Sequence, residues 1–366
     1  MHPRAARRVF SFSLILLFLA VGCVKDIPTE GSFPEYTSIP VRPTAVPSGW
    51  YTVYFTDPTD SAAEYYSGGP DEALAAAIDQ ARLCIDMAVY DLDLSTISNA
   101  LISAHRRGIK VRVVTESDNM DSPVTKIPVL VEAGIPVIGD RRESLMHNKF
   151  TVIDRMEVWS GSMNYTANDA YRNDNNLIRI RSTVLAEDFT VEFNEMFERD
   201  LFGVDNRPAT PHPRVNVNGT EIEVYFSPDD GVAGHIIDRI TGAQESIRFL
   251  AYSFSADNIA SAMLARAQAG VTLAGVFEET QVVAQNNSSE YELLRLAGLD
   301  VWLDANPKNM HDKIILIDGM IVITGSYNFT ASAEEKNDEN VMIISNAEIA
   351  ALYQQEFQRI YTRAIK

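Results

Sequence analysis

HNKFTVIDRMEVWSGSMNYT, residues 147–166, and HDKIILIDGMIVITGSYNFT, residues 311–330, carry the same spaced residues at a constant offset of 164. His147 matches His311, Lys149 matches Lys313, Asp154 matches Asp318, and Gly161-Ser162 matches Gly325-Ser326. Asn164 matches Asn328, and Thr166 matches Thr330. One such stretch reads equally well as a strand with polar ends. Two in register are a duplication.

The duplication runs well beyond the quoted stretches. NDNN (173–176) matches NDEN (337–340), and Phe193 matches Phe357, at the same offset. Upstream, CIDMAVYDLDL (84–94) aligns with SIRFLAYSFSA (246–256) at offset 162, sharing Tyr90 and Tyr252. AGIPVIGD (133–140) aligns with AGLDVWLD (297–304), back at 164, as a loop insertion between blocks allows. Within each half the periodicity alternates. Residues 71–81 predict a helix with an acidic first turn, RLCIDMAVY a strand, 94–108 a helix closing on Gly108, and IKVRVVT a strand. A short helix to Gly134 and the strand IPVIG follow. Then HNKFTVID and EVWSG form two strands around a tight turn, which in the second half is Asp318-Gly319. A last strand and a helix close each half, and Phe189, Phe193 and Phe197 give that helix a core stripe. The expected fold is α/β with a largely parallel sheet in each of two lobes, 51–202 and 221–366. The Pro-containing stretch 203–220 is expected to link them.

The first 50 residues are of another kind. Arg4, Arg7 and Arg8 precede an apolar run from Val9 to Gly22, too short for an ordinary membrane span and suited to an export signal. LAVGC resembles a bacterial lipobox with Cys23 as the lipidated residue, although Ala20 stands where Leu is more usual. A signal 1–22, a lipid-bearing Cys23 and a Pro-rich tether through residue 50 are expected, hence an exported, membrane-anchored protein. Removing the signal removes three of the 31 basic residues and none of the 50 acidic ones, so 28 face 50. A chain of net charge −19 is poorly suited to coat nucleic acid or to adhere to anionic lipid by charge alone. Cys84 lies in an apolar strand and is expected to be a buried thiol.

His and Lys two apart on a strand share a face. An imidazole beside an ammonium suits a phosphoryl group: the cation neutralises non-bridging oxygens while the imidazole attacks phosphorus or moves a proton. Gly-Ser-x-Asn on the next strand and loop offers donors for the same oxygens. Asp154 and Asp318, at hairpin ends, are expected to brace a turn.

The double His-x-Lys-x4-Asp pattern resembles the phospholipase D superfamily, and the resemblance covers nearly the whole chain from about residue 51. It implies two similar α/β/α lobes with pseudo-twofold symmetry and one active site at their interface, complete in a monomer. It implies catalysis by His147, Lys149, His311 and Lys313, supported by Asn164, Asn328, Ser162 and Ser326. His147 would become a covalent phosphohistidine and His311 would serve as acid and base, with no metal or other cofactor. The family backs each histidine with a carboxylate after the motif. Glu339 fits that role for His311, but Asn175 stands at the matching position in the first half, with Asp174 next to it.

Phospholipid and nucleic-acid phosphodiesters both remain open as substrates, as does a binding protein with a site weakened at Asn175. Arg141 and Arg142 precede the first motif and are placed to grip a phosphate backbone. Residues 300–345, however, carry three Lys against eight acids. That balance and the expected anchor favour lipid over nucleic acid. Tyr90 and Tyr252 are candidates to line the cleft.

Overall fold

The computed structural model describes residues 49–366. The expected signal, Cys23 and all but the last two residues of the tether lie outside them. The first lobe begins with strand β1 (Tyr51–Phe55), helices α1 (Ser61–Glu64) and α2 (Pro70–Gln80), β2 (Cys84–Val89), α3 (Ser95–Arg106) and β3 (Lys110–Thr115). It continues with α4 (Ile127–Glu132), β4 (Val137–Gly139), β5 (Lys149–Ile153), β6 (Glu157–Gly161), α5 (Ala167–Tyr171), β7 (Asn176–Arg181) and α6 (Thr183–Arg199). The second lobe opens with β8 (Arg214–Val217), β9 (Thr220–Ser227), α7 (Val232–Gly242), β10 (Ser246–Ala251), α8 (Asp257–Gln268) and β11 (Thr272–Phe277). Then come α9 (Glu279–Gln285), α10 (Tyr291–Leu296), β12 (Asp300–Leu303), β13 (Lys313–Ile317), β14 (Ile321–Gly325), α11 (Ala331–Glu335), β15 (Glu339–Ser345) and α12 (Ala347–Ala364).

The sheets run β1-β7-β6-β5-β2-β3-β4 and β12-β11-β10-β13-β14-β15-β9-β8. Only β2-β3-β4 and β10-β11-β12 pair in parallel; every other neighbour is antiparallel. The expectation of largely parallel sheets is therefore wrong. The helical crossovers before the motif do give parallel strands, but tight turns and a five-residue helix return β6 and β7 antiparallel. An extra strand, β1 or β9, then pairs beside β7 or β15. The stretch expected as a linker is also structured. It holds β8 and is pinned to the second lobe, where the Gly203 N–H and Asn206 Nδ2 donate to Asp338 Oδ1 at 2.7 and 2.9 Å.

Both lobes fall within a single compact unit. Helices α6 and α12 lie between the sheets. The first touches β2, β3, β5 and β6 of its own sheet and β9 of the other; the second touches β10 to β14 and β1. Side-chain caps at matching positions start both helices: Ser182 accepts from Leu185 N, and Asn346 from Glu348 N and Ile349 N. One apolar core thus joins Phe150, Phe189 and Phe193 to Phe226, Leu316 and Phe357. Each buried Phe contributes about 1.5–3 kcal/mol, so separating the lobes would expose the inner face of both sheets. Phe197 is only packed against the margin of this core. Outer helices α2 to α4 cover the first sheet through Leu74, Ile97 and Leu130, and α7, α8 and α10 cover the second through Ile236, Ile259 and Leu294. Cys84 is free and half-buried, not fully buried, because it opens β2 at the sheet's end.

Asp154 and Asp318 begin the β5–β6 and β13–β14 turns with φ of 56° and 53°, followed by Arg155 and Gly319 at 53° and 63°. Two successive positive φ values match the twist of a tight hairpin. The carboxylates reach sideways. Asp154 accepts from the N–H groups of Arg82, Leu83 and Cys84, and Asp318 from those of Gln244, Glu245 and Ser246. Each therefore ties its hairpin to the start of the neighbouring strand, at the end of the sheet away from the histidines.

Candidate active site

Each histidine is held on backbone from the other lobe. Met146 bridges Asp338, with His147 N donating to Asp338 O at 3.0 Å and Asp338 N to Leu145 O at 2.9 Å. Met310 bridges Asp174 in the same way, with His311 N donating to Asp174 O at 2.8 Å and Asp174 N to Asn309 O at 2.9 Å. A second pair of crossings lies beneath. Ser160 donates to Asn340, whose Nδ2 donates to Asn148; Thr324 donates to Asn176, whose Nδ2 donates to Asp312. Residues 148 and 312 are the middle residues of the two His-x-Lys triplets. Their side chains point away from the histidines and stitch the lobes together. The 164 offset already marks Asn176 and Asn340 as a pair.

The side-chain partners of the imidazoles are also exchanged. His147 Nδ1 lies 2.7 Å from Glu339 Oε2. Glu339 therefore backs His147 and not His311, contrary to the sequence expectation, because β15 delivers its first residue across the interface. His311 Nδ1 faces Asn175 Oδ1 at 2.9 Å and Asp169 Oδ1 at 3.1 Å. Asp174 does not replace the missing carboxylate at Asn175. It is clamped by Arg359 (2.8 Å), by Arg363 and by Asn306. Sequence reasoning missed Asp169, since the matching residue is Ala333 and the duplication leaves no trace there.

These oxygens only accept, apart from the Asn175 amide, whose Nδ2 already donates to Asp169. Both neutral imidazoles thus carry hydrogen on Nδ1 and present a bare Nε2. Burial lowers the pKa of His147 below the usual histidine value, against the pull of Glu339. Burial, then the charge of Lys313, lowers that of His311 to about 4. At neutral pH both rest uncharged. For Asp169, burial would raise the pKa, but His311 and the bonds from Thr166 and Asn175 outweigh it and hold it well below the carboxylate range.

Lys149 and Lys313 are 0 and 2 % exposed, and each Nζ donates to the carbonyl of its own histidine, at 2.8 and 2.7 Å. Lys149 also lies over the Tyr90 ring and Lys313 over that of Tyr252. The same rings meet His147 and His311 edge-on at centroid distances of 5.0 and 4.4 Å, so both tyrosines belong to the site wall. Burial brings Lys149 down to about 8; burial and the charge of Lys149 bring Lys313 down to about 7. Four groups from two lobes therefore share one electrostatic site.

The Gly-Ser-x-Asn segments do something other than expected. A Cβ on Gly161 would lie 2.3 Å from Asn176 O, and one on Gly325 2.2 Å from Asn340 O, so glycine permits the next strand's backbone to cross there. Ser162 and Ser326 are fully buried: Ser162 donates to Asn175 Oδ1 at 2.8 Å, and Ser326 Oγ accepts from Asn340 N at 3.0 Å. The Ser162 hydroxyl hydrogen is therefore spent within the protein and not on a phosphate oxygen. Asn164 and Asn328 each keep a buried side-chain oxygen without a hydrogen-bond partner, and Asn164 Nδ2 is engaged by Asp169 at 3.1 Å. Arg141 and Arg142 are paired with Asp200, and Arg142 also packs over Phe202.

Residues 74–197 and 236–361 each match the family described as the PLD-like domain of cardiolipin synthase. Phospholipase D of Rickettsia bellii is 36% identical over 164 residues, spanning 43% of this chain and 81% of that protein. Mitochondrial cardiolipin hydrolase of Xenopus laevis is 32% identical over 118 residues, 32% of this chain and 56% of that protein. Among solved structures, phosphatidylserine synthase from Haemophilus influenzae superposes with a TM-score of 0.64 at 14% identity, over 86% of this chain and 89% of that one, a likeness of fold. Two copies of one domain, each completing the other's histidine, make this chain a member of the phospholipase D superfamily and a phosphodiester hydrolase.

Proposed function

We propose that the chain hydrolyses phospholipid head-group esters in two steps through a phosphohistidine, without a metal ion, from a membrane to which Cys23 anchors it. The observation that carries this is the pair of buried imidazoles, each with Nδ1 held by the opposite lobe, beside two buried ammonium groups. Nε2 of His147 attacks phosphorus. The bond to the head-group oxygen breaks, and that oxygen takes a proton from Nε2 of His311, which picks it up from solvent water as the phosphodiester anion enters. His311, now neutral, accepts a proton from water as water attacks phosphorus; the P–N bond breaks and returns its electrons to His147. The products are an alcohol and a phosphomonoester. Lys149 and Lys313 balance the phosphoryl charge, the part a divalent cation plays elsewhere. Asp118 stands near Tyr90 together with Glu116 and Asp91, whose carboxyls burial pushes up to about 7 and about 6, and Glu278 stands near Tyr252; this partly charged acidic setting favours a compact phosphodiester over a polyanion.

The test offers the full chain in detergent, with and without EDTA, either mixed micelles of phosphatidylcholine and phosphatidylethanolamine or single-stranded DNA and RNA. Head-group release at an EDTA-independent rate, with intact strands, is the expected result. Cut strands with intact lipid would replace the lipid reading by a nuclease.

The lysines set the alkaline side of the pH profile. As pH rises through about 7 to 8 they lose charge, so kcat/KM falls. In Lys149→Met the repulsion that depresses Lys313 is gone, and the pKa of Lys313 rises. The falling limb should move to higher pH while kcat/KM drops by about 10²–10³. A pH–rate series on wild type and variant checks this; an unmoved limb counts against it.

A further inference from the structure

We infer that Asp169 is a positioning residue for His311, supplying from helix α5 the carboxylate that the second lobe supplies from strand β15 for His147. This rests on the acid–base role proposed for His311. At the 164 offset, Asp169 and Asn175 of the first lobe face Ala333 and Glu339 of the second. The two lobes therefore carry a carboxylate and an uncharged residue in opposite order. The short helices α5 and α11 are otherwise built alike: Thr166 caps one by accepting from Asp169 N, and Thr330 caps the other by accepting from Ala333 N. The capped third helical residue is Asp169 in one and Ala333 in the other, and in the first lobe it turns a carboxylate toward His311.

That carboxylate is held for the purpose. Asp169 Oδ2 accepts from Thr166 Oγ1 at 2.8 Å and from Asn164 Nδ2 at 3.1 Å. Oδ1 accepts from Asn175 Nδ2 at 2.8 Å and Asn173 Nδ2 at 3.2 Å, and lies 3.1 Å from His311 Nδ1. Asn175, where the second lobe has its glutamate, both orients Asp169 through its amide hydrogens and shares the imidazole hydrogen through its oxygen. His147 thus faces one undivided carboxylate, and His311 a carboxylate shared with a neutral amide. The first arrangement stabilises the lasting positive charge of a phosphorylated imidazole. The second holds the ring in its tautomer yet lets a proton come and go, as an acid–base group requires.

The decisive set is Asp169→Ala, Asp169→Asn and the double variant Asp169→Ala/Asn175→Glu, which copies the second lobe's order into the first. Each is made in the full chain. Two phosphodiesters are compared by kcat/KM: phosphatidylcholine, whose alkoxide leaving group needs a proton, and bis(p-nitrophenyl) phosphate, whose phenolate does not. Asp169→Ala should lose about 10²-fold on the first and under about 10-fold on the second, and the double variant should regain most of the loss. Asp169→Asn, similar in size, should show the same split and guards against misfolding. Equal losses on both substrates with no recovery in the double variant would leave Asp169 a packing residue and overturn the inference. A nitrogen-15 NMR titration of the histidines is independent of turnover. His311 should titrate lower in Asp169→Ala, because the carboxylate favours its charged form. An unchanged His311 titration overturns the inference. If wild type cleaves neither ester but His311 shifts, the proposed function fails while the positioning role stands.

Discussion

His147→Asn is expected to reduce kcat/KM by roughly four to six orders of magnitude on any phosphodiester the wild type accepts, the scale seen when a covalent nucleophile is removed. Asn is the informative replacement. Its amide can still donate to Glu339, whereas Ala would leave that fully buried carboxylate with no hydrogen-bond partner, Oε1 having none already. An orphaned buried carboxylate destabilises by several kcal/mol, and lost turnover would then be confounded with lost fold. With Asn the thermal midpoint should stay within a few degrees of wild type, so that any loss of rate belongs to chemistry. A variant that kept even one part in a hundred of wild-type activity would remove His147 from the nucleophile's role.

The exchange of partners across the lobes marks how far the sequence can be read. The duplication makes the two-lobe architecture, the two histidines and the two lysines legible, because identical side chains recur at one offset. It also leads to an error. Glu339 follows His311 in the chain, so local reasoning gives it to that histidine; in space β15 carries it to His147. Sequence proximity ranks partners within a lobe, while the site is built between lobes. Asp169 fails to register for a related reason. Its counterpart is Ala333, and a comparison of halves finds what is repeated, not what has been traded. The serines mislead differently: a repeated hydroxyl beside the motif suggests a ligand contact, but the glycine before it lets the neighbouring backbone so close that the hydroxyl faces inward. The expectation of a parallel sheet fails because helix–strand alternation governs only the segment before the motif; beyond it, turn length decides strand direction.

His311→Asn should separate the two halves of the reaction. With bis(p-nitrophenyl) phosphate the first leaving group is a stable phenolate that departs without a proton, so attack by His147 goes on. Water then lacks the base that would activate it. The expected trace is a rapid release of about one nitrophenolate per chain followed by a steady rate about 10²–10⁴ below wild type. A P–N bond survives alkaline quenching and breaks in acid. Mass analysis of a base-quenched digest should therefore find the nitrophenylphosphoryl adduct on the peptide containing His147. Glu339, 2.7 Å from Nδ1, supports that outcome, since it is the undivided carboxylate available to a ring that stays positively charged until water arrives. His147→Asn under the same conditions should give neither burst nor adduct. The reverse pattern, a burst in His147→Asn with the adduct on His311, would exchange the two roles. Linear release at the wild-type rate in His311→Asn would show that a different group activates water, and Asp169 would then hold an imidazole the reaction does not use.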